Sequence, residues 1–239
     1  MAKLHDEWQV LPHGTLREVA PGILTVVGQI PMPLGKFPRR MTVVAIGDGR
    51  TAIFSPIPLN EAGMAQVEKL GEPAFLIVPN GGHRLDLRPF HKRYPKAKIV
   101  TAPGSKEKVE EAAKPVQTRA NLGDRARIFT LAGCEEIELA MIVLDESGGT
   151  TLITNDVIGN VAHPKGIGAK IMLRLMGFGP KPRITVAAKR FFIKDKRSLA
   201  AQLREWSKIE SLVRLIPSHG DIIDRPAPLL NRLADSLMK

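Results

Sequence analysis

The chain has 239 residues, of which 44% are hydrophobic and 25% charged. That balance excludes a disordered or collagen-like chain and fits one globular domain or two small ones. Its longest apolar runs, such as residues 41–46, fall far short of the roughly 20 residues a membrane-spanning helix needs. The formal net charge is +11, with a pI near 10.0, and such a field favours anionic partners. The excess is local: between Lys165 and Arg197 ten basic residues stand against Asp195 alone, so this stretch carries nine of the eleven net charges.

Residues 1–18, broken by Pro12 and Gly14, read as a loosely attached N-terminal lead-in, with residues 19–239 as a single domain. The first residues hold no apolar secretory core. A lone cysteine makes no internal disulfide, so a reducing, cytoplasmic setting is the expectation. Regular structure is predicted to begin with a β-branched strand at 23–27. Strands at 41–46 and 51–54 flank Gly47-Asp48-Gly49, a tight-turn signal that predicts a hairpin. The period then changes: Asn60 is a helix N-cap, Met64, Val67 and Leu70 share one face, and Gly71 ends the helix. The apolar run 74–78 suits a strand covered on both faces. A short helix at 87–94, a strand at 98–100 and a helix that starts after Pro103-Gly104 and runs to Ala113 follow. Strands at 127–131, 136–144 and 150–154 form a meander. Ser198 caps a helix with Leu199, Leu203, Trp206 and Ile209 on one face, then come a strand at 212–216 and a helix over 228–238. Alternating strands and helices predict a layered α/β (α+β) domain with two packed mixed sheets and helices outside.

In such sheets ligands gather at the loops that follow strand C-termini. Four of these loops hold His83 and Asp86, Cys134, Asp156, and His219. Imidazoles, carboxylates and a thiol are ligands that zinc or iron accepts. Ordinary readings stand beside this one. Asp86 is placed to cap the helix at Leu87, Asp156 to cap a turn, and Cys134 to be a small buried hydrophobe. A histidine in a loop is often only hydrogen-bonded, and His5, His13, His91 and His163 read as surface residues. There is no phosphate-binding P-loop, no G-x-G-x-x-G after a strand, no G-x-S-x-G elbow and no C-x-x-C pair.

The run from Met41 to Leu59, then Leu76-Ile-Val-Pro-Asn-Gly-Gly-His83, Tyr94-Pro-Lys-Ala-Lys98, Thr151-Leu-Ile-Thr-Asn-Asp156 and Pro217-Ser-His-Gly220 together resemble the metallo-β-lactamase-like superfamily. The likeness is strongest to an uncharacterised branch with a degenerate metal motif. The resemblance implies a four-layer αββα sandwich with a metal site between the sheet edges. Of the superfamily's H-x-H-x-D-H motif His83 survives, with Asp86 three residues on. Cysteine, as Cys134, stands where a Pro-Gly-His histidine is expected, Asp156 matches the bridging aspartate and His219 the last histidine. The implied centre is therefore reduced, with one Zn²⁺ or Fe²⁺ at most, or none.

Two functions follow. In the first the chain is a metal-dependent hydrolase of an anionic ester, thioester or phosphodiester, ligated by His83, Asp156 and His219, with Asp86 or Cys134 as further ligand or proton acceptor. The alternative is a catalytically inactive binding or scaffold domain that holds an acidic partner. The segment from Lys165 to Arg197 also carries Ile171, Met172, Leu173, Leu175, Met176 and Phe178. It reads as a lid over the site mouth or as a surface for acidic membrane or nucleic acid.

Overall fold

The structure, a computed structural model, describes residues 4–32, 35–161, 177, 179 and 181–239. One sheet has seven strands in sequence order: β1 (Arg17–Ala20), β2 (Ile23–Met32), β3 (Gly35–Gly47), β4 (Arg50–Phe54), β5 (Glu72–Val78), β6 (Lys98–Thr101) and β7 (Val116–Gln117). Its first four strands are antiparallel and β4 to β7 run parallel. Helices α1 (Glu61–Leu70), α2 (Leu87–Arg93) and α3 (Lys106–Glu110) fall between the later strands. The second sheet contains β8 (Ala126–Thr130), β9 (Leu139–Leu144), β10 (Thr150–Thr154), β13 (Leu212–Pro217) and β14 (Ile223–Asp224), ordered β14-β13-β10-β9-β8. A small pair, β11 (Ile158–Gly159) and β12 (Arg183–Ile184), lies between β10 and α4 (Lys196–Ser207) in the chain, and α5 (Ala227–Leu237) ends it. Both sheets are mixed.

Strand alternation sorts these residues into layers. Ala52 and Phe54, Phe75 and Ile77 point toward Met141, Val143, Ile153 and Ile216, forming the core between the sheets. The alternate residues Ile53, Leu76 and Val78 face Met64, Val67, Leu87 and Phe90 of the helices outside the first sheet. Leu152 and Leu215 likewise meet Leu199, Leu203, Trp206, Leu230 and Leu233 of α4 and α5. Helix, sheet, sheet, helix is the observed order of layers. Among the described residues no helix is long and apolar enough to cross a membrane.

Local signals explain most boundaries. Asp48 and Gly49 both have positive φ, as a two-residue hairpin loop of the primed type demands. Asn60 caps α1 by accepting from the Gly63 N–H, a bond whose loss typically costs about 1 kcal/mol. Other expectations are corrected. Asp195, not Ser198, caps α4, accepting from the N–H groups of Arg197 and Ser198. The helix predicted to follow Pro103-Gly104 and reach Ala113 is only the short α3, entered through a 3₁₀ turn at Pro103–Ser105. The strand predicted from residue 136 starts at Leu139, because Glu135 and Glu136 are both held at positive φ, outside the strand region.

The lead-in is not loose. Trp8 donates to the Leu59 carbonyl at 2.9 Å and packs on Phe90, with the Arg93 guanidinium over its ring. His5 and His91 are half-buried rather than on the surface. His163, and residues 165–176, 178 and 180 of the amphipathic basic segment from Lys165 to Arg197, lie outside the described residues.

Candidate metal centre

Three loops at one end of the two sheets carry the site. Asn80 follows β5 and caps the 3₁₀ turn Gly81–His83 by accepting from Gly82 N, which brings His83 back over the strand end. In the other sheet β10 and β13 are parallel neighbours with Thr154 opposite Pro217. Asp156 and His219 each lie two residues beyond that pair, so the register sets them level. At Gly220 φ is +129°, and a Cβ there would overlap the carbonyl and side-chain oxygens of Asn160. Only glycine suits the turn after His219.

The three side chains converge. His83 Nε2 is 3.2 Å from His219 Nε2 and 3.4 Å from Asp156 Oδ1, and His219 Nε2 is 2.9 Å from the same oxygen. Both imidazoles are buried, and Asp156 is partly exposed. Their outer nitrogens are already tied. His83 Nδ1 lies 2.7 Å from Ser55 Oγ, and His219 Nδ1 lies 2.6 Å from the Pro38 carbonyl, to which it can only donate. With the proton on Nδ1 each imidazole has its Nε2 lone pair free for a cation, and with it on Nε2 each donates to Asp156.

Electrostatics favour the ligating forms. Burial, opposed by Asp156, pushes the His83 imidazole below its ordinary value. Burial alone would raise the Asp156 carboxyl, but the charges and hydrogen bonds of the two imidazoles outweigh it and hold the group well below the usual carboxylate range. The donor set fits a divalent ion. Ligand atoms about 2.0–2.1 Å from a common tetrahedral ion sit about 3.3 Å apart, close to the separations seen. With three protein donors the fourth position would stay open, as in catalytic rather than structural zinc sites.

Two of the sequence candidates are elsewhere. Cys134 is fully buried in the core under α4, and burial, then Glu138, pushes its thiol up to about 12. It is a small hydrophobe there. Asp86 begins α2 but makes no side-chain cap bond; its two oxygens are taken by Arg39 and by His5 Nδ1 at 2.6 Å. Neither belongs to the converging group, which among the described residues consists of His83, Asp156 and His219.

Several supporting residues escaped the sequence reading. Ser55 holds φ +58° while donating its backbone N–H to Ile77 and meeting His83. Such strain in a non-glycine residue often marks a functional site. Asn80 donates to Asp156 Oδ2 at 2.7 Å and to Glu138. Glu138 is fully buried and also accepts from Val157 N. Burial and the nearby Asp156 charge push its carboxyl up to about 8. Arg40, also buried, donates to the Pro217 and Gly220 carbonyls and to Thr25, bracing the loop that carries His219. Burial lowers its pKa to about 10. For Ser55, Asn80 and Glu138 the only sequence signal was position beside a strand end; Arg40, inside β3, had none.

A cleft of about 380 Å³ opens beside Asp156. Leu85, Ile137 and Phe192 give it apolar walls, and Arg84 and Lys108 place cations on it, both paired with Glu111.

This architecture is that of a known fold. The metallo-β-lactamase FIM-1 from Pseudomonas aeruginosa, in a mono-zinc form, aligns over 95% of this chain and 96% of its own, with a TM-score of 0.61 and 11% identity. The metallo-β-lactamase DIM-1, exposed to ceftazidime, aligns over 95% and 99% at a TM-score of 0.62 and 15% identity. A metallo-β-lactamase from Hirschia baltica aligns over 95% and 98% at a TM-score of 0.58 and 12% identity. No family model and no curated protein matches the sequence. The chain has the metallo-β-lactamase-like fold.

Proposed function

We propose that the chain is a metal-dependent hydrolase that holds a single Zn²⁺ or Fe²⁺ on His83 Nε2, His219 Nε2 and Asp156. The observation that carries this reading is the convergence of those atoms within 2.9–3.4 Å, with both Nδ1 atoms engaged from behind. That the metallo-β-lactamase FIM-1 has a mono-zinc form supports a single ion here. When bound, the ion lowers the pKa of water toward neutrality and polarises a carbonyl or phosphoryl oxygen.

The chain's own residues do the rest. Asp156 balances part of the ion's charge, and Asn80 fixes its second oxygen. Arg84 and Lys108 draw an anionic ester, thioester or phosphodiester into the cleft, whose apolar walls exclude water. Next to the cleft-lining Phe192 in the chain, Phe191 is 62% exposed and Lys189, Arg190 and Lys194 are exposed as well, which supports an acidic partner for the basic segment.

The test is a screen of ester, thioester and phosphodiester substrates on protein purified without a histidine tag and loaded with zinc or iron. Turnover by the wild type, falling more than about a hundredfold in His83→Ala, is expected. A chain that takes up neither ion under any loading is instead a metal-free binding domain.

A further inference from the structure

The π-helical turn Ala188–Phe192 supplies Phe192 to the cleft wall and also presents a face to solvent. It is anchored from beneath. Thr185 Oγ1 accepts from Ala188 N and donates to the Asp156 carbonyl, both at 3.0 Å, and Ile184, Ala188 and Ile193 are buried in the core under α4. What stays outside is apolar and cationic together. Val186 and Phe191, 50% and 62% exposed, are the two most exposed large hydrophobic side chains among the described residues. Arg183, Lys189, Arg190 and Lys194 lie beside them in the chain and are exposed too. Cations such as Lys92, Arg125 and Arg204 each pair with a carboxylate, but among the described residues none of these four does. The sequence gives the reason: from Val157 to Lys194 it contains no Asp or Glu, and Asp195 is committed to capping α4. Single exposed apolar side chains need no explanation, but a pair five positions apart among unpaired cations does.

An unneutralised basic field attracts a polyanion, and Phe191 with Val186 gain most from an apolar layer just behind that charge. An anionic bilayer offers both, with charged head groups lying over acyl chains. A nucleic acid offers the charge, but residues 181–197 contain no Asn, Gln, Ser or Tyr to read base edges beside the basic residues, and an aliphatic side chain gains nothing on a phosphate backbone. We infer that this face docks the chain on an anionic bilayer, with Lys189, Arg190 and Lys194 among the head groups and Phe191 inserted at their base. Docking there brings the cleft wall formed by Phe192 next to the lipid. This deepens the acidic-partner reading, on which it rests, and does not depend on the metal centre, because none of these residues belongs to the His83–Asp156–His219 cluster.

The full chain is titrated separately with phosphatidylcholine vesicles, with vesicles that also contain phosphatidylglycerol, with an RNA oligonucleotide and with polyglutamate. Binding to the mixed vesicles is expected, and not to pure phosphatidylcholine, and it should weaken steeply as salt rises. Each basic side chain at such a surface contributes about fivefold in affinity, so Lys189→Gln with Arg190→Gln should cost about 25-fold. Phe191→Ala should cost about tenfold and leave the salt dependence unchanged. Brominated acyl chains should quench the fluorescence of Phe191→Trp beyond the level that Trp8 and Trp206 give in the wild type. His219→Ala should bind the mixed vesicles as the wild type does. No binding to mixed vesicles at low salt overturns the proposal. RNA or polyglutamate bound more tightly than the vesicles keeps the acidic-partner reading and refutes the bilayer, whereas binding to none of the three polyanions refutes both. Vesicle binding unaltered by the double substitution puts the contact elsewhere on the chain, and no added quenching in Phe191→Trp refutes insertion. Loss of vesicle binding in His219→Ala would make docking depend on the metal cluster, against the proposal.

Discussion

Asp86 and Asp156 stand at comparable places in the sequence, each in a loop after an inner strand, and each is met by a histidine. Their environments divide them. Asp86 is clamped between Arg39 and His5, with each oxygen spent on a cation or an N–H donor. Asp156 is met by two imidazoles and the Asn80 amide, none of which carries a fixed charge. A guanidinium never deprotonates in proteins and has no lone pair to share, so it completes a carboxylate. Neutral imidazoles can present lone pairs beside it, and a carboxylate so placed can share a cation with them. One aspartate is structural and the other is equipped for ligation.

Exchanging these carboxylates for amides tests that contrast most strongly. Asp86→Asn leaves Arg39 buried without its counter-charge, which typically costs about 3–5 kcal/mol. Thermal or denaturant unfolding should show that loss, with metal affinity retained in whatever fraction folds. Asp156→Asn should do the reverse: a much smaller loss of stability, read in the same unfolding experiment, and metal affinity reduced more than about a hundredfold by calorimetry. Equal effects of the two substitutions on either quantity would erase the distinction.

The next effect is smaller. Ser55→Ala removes the partner of His83 Nδ1 without touching a ligand atom, and second-layer partners of ligating histidines are worth about 10–100-fold in metal affinity. A competition titration with a chromogenic chelator should find a loss in that range. The matching change at the other cluster, His5→Ala, removes a half-buried partner of Asp86 and should leave metal affinity unchanged.

Much of the fold could be read from the chain because it is written locally. Asn60, the Asp48–Gly49 turn and the two-faced run at 74–78 each carry their own signal, and all three elements formed where expected. The lead-in was misjudged because its anchors, Trp8 on Phe90 and His5 on Asp86, are contacts between residues more than eighty positions apart. The site divides in the same way. His83, Asp156 and His219 stand out by residue type at strand ends. Ser55, Asn80, Glu138 and Arg40 act through long-range hydrogen bonds that no local pattern encodes. Cys134 drew attention only by its chemistry, and burial removed it from consideration.

That burial has a pH signature, the smallest of the expected effects. Burial, then Glu138, pushes the folded thiol up to about 12, against about 8.5 when unfolded. The folded state therefore binds more protons across that interval. The stabilising contribution is fully present below about 8.5 and is lost progressively as pH rises toward 12. Denaturant midpoints of wild type and Cys134→Ala, measured from pH 8 to 10.5, should converge as pH rises, and the native thiol should resist alkylation at pH 8. Rapid alkylation of the folded chain would place Cys134 outside the core.

The most direct measurement is the metal stoichiometry of untagged protein after equilibration with Zn²⁺ or Fe²⁺ and removal of free ion, with X-ray absorption on the bound metal. The expected result is one ion per chain, ligated by two imidazole nitrogens and carboxylate oxygen, and none in His219→Ala. Retention of the ion by His219→Ala, sulfur in its coordination shell, or no uptake by the wild type would contradict the assignment of His83, Asp156 and His219 as a metal centre.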